Sequence, residues 1–200
     1  MEENKLNHLY PVFLKLNQLE TLLVGAGNVA QEKLNSILGN SPEAHITIVA
    51  PRVKEEVRQL AESFINCTII ERPFEEKDLD NKHLVICATD DRSLHELIRK
   101  MANLRKIILN VADTPQLCDA YLGSIVQKGS VKIAISTNGK SPTIAKRLKE
   151  LLADLLPDEM EELLENMQKI RSNIKGDFEE KVKRLNAITK DLLENSAKQE

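Results

Sequence analysis

The chain has 200 residues, 42% of them hydrophobic and 30% charged, with a net charge of -3. Those proportions suit a soluble globular chain, and the length holds one large domain or a nucleotide-sized domain with an appendage. The negative balance supplies no field to gather nucleic acid, and no Trp, two Tyr and four Phe make no stacking platform for single strands.

No run approaches the roughly 20 apolar residues of a bilayer span, so no membrane partner is expected. The first residues, MEENKLNHLYPVF, lack the basic start and apolar core of a secretory signal. Cys67, Cys87 and Cys118 are odd in number and contain no CxxC pair. Disulfides and a cysteine zinc site are therefore not expected, and the chain reads as cytoplasmic. The charge is uneven: residues 151–200 carry twelve Asp/Glu against eight Lys/Arg.

Through the first 115 residues strand-like and helix-like segments alternate. Thr21–Val24 is a short apolar run ending at glycine, followed by a helical stripe of Val29, Leu34, Ile37 and Leu38 that Gly39-Asn40 and Pro42 should stop. His45–Val49 predicts a second strand, then Val53, Val57, Leu60, Ala61 and Phe64 a second helix. Cys67–Ile70 and His83–Ala88 predict two more strands, Leu94, Leu97, Ile98 and Met101 a helix, and Lys106–Val111 a fifth strand. Strands separated by crossover helices pair in parallel, which predicts a Rossmann-type α/β sheet over residues 1–114.

After Pro115 the rhythm changes. Tyr121–Gln127 and Val131–Ser136 flank Lys128-Gly129-Ser130 and predict an antiparallel pair. Ser141-Pro142 is an N-cap followed by proline at the first helical position, starting a helix to about Leu156. Residues 115–150 thus form a small mixed α+β segment suited to dimerisation or a substrate cleft. Residues 151–200 form a helical appendage, expected to be helical throughout 158–196. Its stripes are Met160, Leu163, Leu164, Met167 and Ile170, then Phe178, Val182, Leu185, Ile188 and Leu192, with Gly176 between.

The strongest local signal is Gly25-Ala26-Gly27-Asn28-Val29-Ala30, a G-x-G-x-x-A sequence between a strand and a helix. Gly25 permits a tight turn, Gly27 lets backbone approach a pyrophosphate, and Ala30 lets helix and sheet pack closely. The helix N-terminus that follows favours phosphate. One expected part is missing, because the second strand ends Val49-Ala50-Pro51-Arg52 with no carboxylate for a ribose 2′-OH. Backbone at Ala50 and Pro51 must serve if NAD binds, and Arg52 could instead face the 2′-phosphate of NADP. Thr89-Asp90-Asp91 after the fourth strand is placed either to line the nicotinamide side or to cap the next helix.

Asp113 closes the fifth strand, where C-terminal strand ends face the ligand crevice. It could take a proton from a substrate, or serve as a turn aspartate before Thr114-Pro115. Ser136–Pro142 is a polar loop running into a capped helix with Lys146, Arg147 and Lys149, suited to a carboxylate-bearing ligand or simply a solvated basic face. The histidines His8, His45, His83 and His95 show no metal-binding spacing, and His45 and His83 are expected to begin strands. Neither a GxSxG elbow nor a P-loop ending is present.

Taken together, seven markers in order resemble the precorrin-2 dehydrogenase/sirohydrochlorin ferrochelatase family, the NAD-binding part of sirohaem synthase. They are His8–Phe13, Val24–Ala30, Val49-Ala50-Pro51, Arg72-Pro73-Phe74, Ala88–Asp91, Asn110–Asp113 and Ile135–Pro142. The resemblance implies an NAD-dependent dehydrogenase making sirohydrochlorin from precorrin-2, with ferrous iron a second substrate in members that also act as chelatases. It further implies a homodimer. By motif it implies a catalytic role for Asp113 and NAD contacts at Asn28, Val29, Pro51 and Arg52. Thr137 and Ser141 then line the substrate cleft, while Lys140, Lys146 and Arg147 meet substrate carboxylates. Two positions depart from the family: Gly123 where many members have proline, and Asn138 where many have glycine. The alternatives are a dehydrogenase without chelatase activity and a non-catalytic NAD-responsive module.

Overall fold

A computed structural model describes residues 6–173, 179–180, 182–183 and 186. The chain divides into two compact units, one running to Ile125 and including Ala134–Arg147, the other made of Val126–Ile133 and the chain from Leu148.

The first unit is built on five short parallel strands, β1 (Glu20–Val24), β2 (His45–Val49), β3 (Cys67–Ile70), β4 (Leu84–Cys87) and β5 (Ile108–Val111). Their spatial order is β3-β2-β1-β4-β5, so the chain winds outward from β1 and then restarts on its other side at β4. The helices that make parallel pairing possible are α1 (Asn28–Asn40), α2 (Glu55–Glu62) and α3 (Arg92–Arg105). Period-2 alternation sends successive strand residues to opposite faces. Leu23, Ile46, Ile48, Leu84 and Ile86 pack against Leu34, Ile37, Leu38 and Val57 of α1 and α2. Leu22, Val24, Val85, Leu109 and Val111 pack on the other face with Ile98 and Ala102 of α3. The fold is thus a doubly wound Rossmann-type layer with both sheet faces covered, as near-continuous apolar strands require.

Local differences from expectation have physical reasons. Helix α1 runs through Gly39 to Asn40, and the Ser41 N–H then bonds to Ile37 O at 2.7 Å. Helix α2 is shorter than its stripe, but Val53 and Phe64 just outside it still pack on the core. The buried face of α3 is His95, Ile98 and Ala102, whereas Leu97 is 45% exposed. Lys106 adopts a left-handed conformation at φ 57° that ends α3, so β5 begins only at Ile108.

Strands β6 (Ser124–Lys128) and β7 (Val131–Ile135) form a separate two-stranded sheet. Their two-residue connection is possible only between antiparallel neighbours. Helix α4 (Pro142–Leu155) begins where Ser141 Oγ accepts the Ile144 N–H at 3.2 Å, the capping contact its sequence predicts.

In the second unit α5 (Met160–Asn173) starts after the turn at Asp158 and Glu159 that follows Pro157, and buries no residue fully. Its Met160, Leu163, Met167 and Ile170 are half-buried, and Leu164 is exposed. Glu161 near its start accepts a hydrogen bond from Ser130 Oγ at 2.9 Å. Residues 179, 180, 182, 183 and 186 are helical, while Gly176, Phe178, Leu185, Ile188 and Leu192 lie outside the described residues. Among the described residues no helix is long and apolar enough to cross a membrane.

Candidate functional site

Where strand order reverses, between β1 and β4, a parallel sheet leaves a crevice beyond its strand ends. Gly25 sits at that point with φ 108°, and a Cβ there would lie 2.4 Å from Ala88 O and 3.0 Å from Thr89 Cγ2. Only glycine satisfies both the dihedral and the space. Gly27 is the N-cap of α1; no side chain caps the helix, its first turn holds no acid, and nothing lies within 4 Å of a Cβ at Gly27. Asn28 and Val29 open α1, and Ala30 is fully buried against the sheet. An open, uncapped and unopposed helix N-terminus beside a bare glycine backbone fits a pyrophosphate.

The end of β2 is tied to this loop. The Gly25 N–H donates to Val49 O at 2.9 Å, and the Lys54 N–H donates to Ala26 O at 3.1 Å. Between them Ala50 is buried, while Pro51 and Arg52 are exposed.

Beside the loop is a cavity of about 500 Å³ whose wall includes Val29, Thr89, Asp90, His95, Asp113 and Thr114. That volume suits a small-molecule or cofactor end. Val29 of the glycine helix and Asp113 beyond β5 therefore share one space. Gly25, Gly27, Asn28, Ala50, Pro51 and Arg52 do not line it.

Asp113 is exposed and stands in the left-handed region at φ 56°. The turn that carries it is clamped from below. Cys118 Sγ accepts the Val111 N–H and donates to Val111 O, both at 3.2 Å, and Asn110 Nδ2 donates to Ala120 O at 2.8 Å. Arg99 of α3 pairs with Asp119 at 2.6 Å, while Asp119 accepts the Leu109 N–H at 3.1 Å. These bonds fold residues 112–120 back over β5. The Arg99 guanidinium holds the Asp119 carboxyl below its ordinary pKa despite partial burial.

Of Thr89-Asp90-Asp91, Asp91 does the capping, accepting the Leu94 N–H at 3.0 Å, whereas Thr89 and Asp90 face the cavity. His95 was given no role from sequence. It is 5% exposed, its Nε2 lies 2.9 Å from Thr89 Oγ1, and burial pushes its pKa down. The signal that could have found it is spacing, since His95 shares a helix face with Ile98 and Ala102.

The 136–142 loop is shaped by its own side chains. Thr137 Oγ1 accepts the Ser141 N–H at 3.3 Å, and Asn138 is left-handed at φ 53°. Glycine is the easiest residue at such a φ and asparagine a tolerated one, so this departure from the family pattern costs little. A Cβ at Gly139 would lie 3.9 Å from Pro115 Cγ, which sets the loop beside the turn following Asp113. At Gly123 a Cβ would lie 2.5 Å from Ile135 O, so proline has no room in this backbone. Lys140, Lys146 and Arg147 are exposed, and neither they nor Thr137 and Ser141 line the cavity. Among the described residues no group of three or more His, Cys, Asp or Glu gathers as a metal would need.

Comparison with known proteins agrees with this geometry. Residues 12–124 match the family described as "Putative NAD(P)-binding", and residues 128–155 match the sirohaem biosynthesis protein central family. The siroheme synthase of Psychrobacter sp. (strain PRwf-1) is 35% identical over 84% of this chain and 34% of its own length. That of Nitrosococcus oceani is 34% identical over 82% of this chain and 35% of its own, and that of Escherichia coli O139:H28 is 32% identical over 86% and 37%. The chain spans about a third of the length of these curated relatives. In fold it is similar to the solved structure titled SirC, precorrin-2 dehydrogenase, with a TM-score of 0.72 over 90% of this chain and 89% of that one at 23% identity. The chain belongs to the NAD(P)-binding family represented in the siroheme synthases.

Proposed function

We propose that the chain is an NAD-dependent precorrin-2 dehydrogenase making sirohydrochlorin in sirohaem biosynthesis. The observation that carries this is the cavity of about 500 Å³ walled by both Val29 and Asp113, a cofactor-side residue and a carboxylate in one space. Similarity to siroheme synthases over most of the chain supports the same substrate class.

When bound, NAD+ would supply the acceptor for the hydride equivalent lost by the substrate, the second hydrogen being lost as a proton. Gly25, Gly27, Asn28 and Val29 hold the pyrophosphate on main-chain N–H groups. Ala50, Pro51 and Arg52 would flank the adenosine ribose, and Thr89 and Asp90 would orient the nicotinamide end. Asp113 receives the proton, the role a positioned carboxylate performs in general base catalysis. Thr137 and Ser141 border the substrate, and Lys140, Lys146 and Arg147 meet its carboxylates.

Iron insertion into sirohydrochlorin at the same place is the second activity we assign, with ferrous iron as substrate and Asp113 again the acceptor of displaced protons. Residues 1–114 would bind NAD, 115–150 would provide the substrate cleft and the interface of a homodimer, and 151–200 would be the appendage of a cytoplasmic enzyme. The test is an anaerobic mixture of protein, NAD+ and precorrin-2 followed by NADH absorbance, then by iron uptake into purified sirohydrochlorin. NADH formation without iron uptake would leave a dehydrogenase alone, and cofactor binding without NADH would leave a non-catalytic module.

A further inference from the structure

The adenosine end of the site is built differently from that of a strict NAD site. A carboxylate at the end of the second strand takes the ribose 2′-OH and repels a 2′-phosphate, whereas an arginine nearby accommodates that phosphate. Here β2 ends at Val49 and continues Ala50-Pro51-Arg52-Val53-Lys54, with no acid before Glu55. Both ends of this span are bonded to the glycine loop, through Gly25 N to Val49 O and Lys54 N to Ala26 O, so Arg52 is held beside it.

The surrounding carboxylates are engaged elsewhere. Glu56 pairs with Lys54 at 3.3 Å, and Glu55 accepts from Gln59 at 2.9 Å. Glu71, the first residue past neighbouring β3, pairs with Arg58 at 2.7 Å. Among the described residues Arg52 is exposed and forms no ion pair. Lys54, paired with Glu56, is also tied to α1, its Nζ 2.9 Å from Gln31 Oε1.

Building on the dinucleotide site proposed above, we propose that Arg52 makes its adenosine end tolerant of a ribose 2′-phosphate, so that the chain takes NADP+ as well as NAD+. The guanidinium, with no carboxylate paired to it among the described residues, supplies charge-assisted donors to the phosphate.

Isothermal titration of the full chain with NAD+ and with NADP+ tests this without any turnover. The expected result is dissociation constants within about tenfold of each other, and a further rise of at least about tenfold in the NADP+ to NAD+ ratio for both Arg52→Glu and Arg52→Ala. A larger ratio in the unmodified chain, an unchanged ratio in the variants, or a rise in the Glu variant alone would overturn it. NAD+ binding with NADP+ excluded removes only this tolerance. Binding of neither removes the dinucleotide site itself.

Discussion

The two ends of the crevice reach positive φ by opposite means. At Gly25 the chain has φ 108° and leaves out the side chain, because Ala88 O occupies the place a Cβ would take. At Asp113 it has φ 56° and keeps the side chain, the carboxylate to which we propose the reaction's proton goes. The first position is settled by sterics alone. The second is held by neighbours: Cys118 on both polar groups of Val111, Asn110 on Ala120 O, and Asp119 between Arg99 and Leu109. The proposed binding surface is main chain beside empty space, whereas the proposed reacting group has support beneath it.

That contrast is broken most forcefully at Gly25. Gly25→Val should cost on the order of 3 kcal/mol or more, through overlap with Ala88 O and an unfavourable φ. It should also abolish measurable dinucleotide binding, as read by denaturant unfolding and calorimetric titration. A stable variant that still binds would mean the loop does not approach the cofactor. Cys118→Ala removes the acceptor for the Val111 N–H and should cost about 1 to 2 kcal/mol. NAD+ affinity should stay within about threefold of the unmodified chain, because the glycine loop has separate supports; a parallel loss of affinity would show that the two ends are not independent.

A smaller effect follows from pH. Asp119 titrates below its ordinary value of 3.8, first because Arg99 bonds to it. Its ionised form therefore contributes stability that is fully present above about pH 4 and is lost as pH falls through the lower folded value. The amides of residues 109–120 should lose hydrogen-exchange protection in acid before those of the glycine loop, and Asp119→Asn should remove that difference. Simultaneous loss in both regions would contradict it.

Much of the sheet was legible because each strand is a short apolar run closed by a breaker, and β2 and β3 have the bounds their residues predict. The glycine loop was legible for a related reason: an absent side chain leaves a mark in sequence that only a few backbone geometries explain. The stripe that marks α3 in sequence includes Leu97, which is 45% exposed, and omits His95, which is buried beside Ile98. The hydrogen bond to Thr89 lets a histidine be buried at little cost, and such a partner is invisible until the turn after β4 is folded. The left-handed backbone at Asp113 was hidden for the converse reason, since Asp, unlike Gly, does not announce it. The support from Cys118 joins residues that periodicity treats separately.

The most direct measurement is a paired titration and turnover assay on Asp113→Ala. The account predicts that the variant binds NAD+ nearly as well as the unmodified chain, while NADH formation from precorrin-2 falls by about 10² to 10⁴, the range of general acid–base catalysis. Turnover at the unmodified rate would contradict it, for the cavity would then hold a carboxylate the reaction does not use.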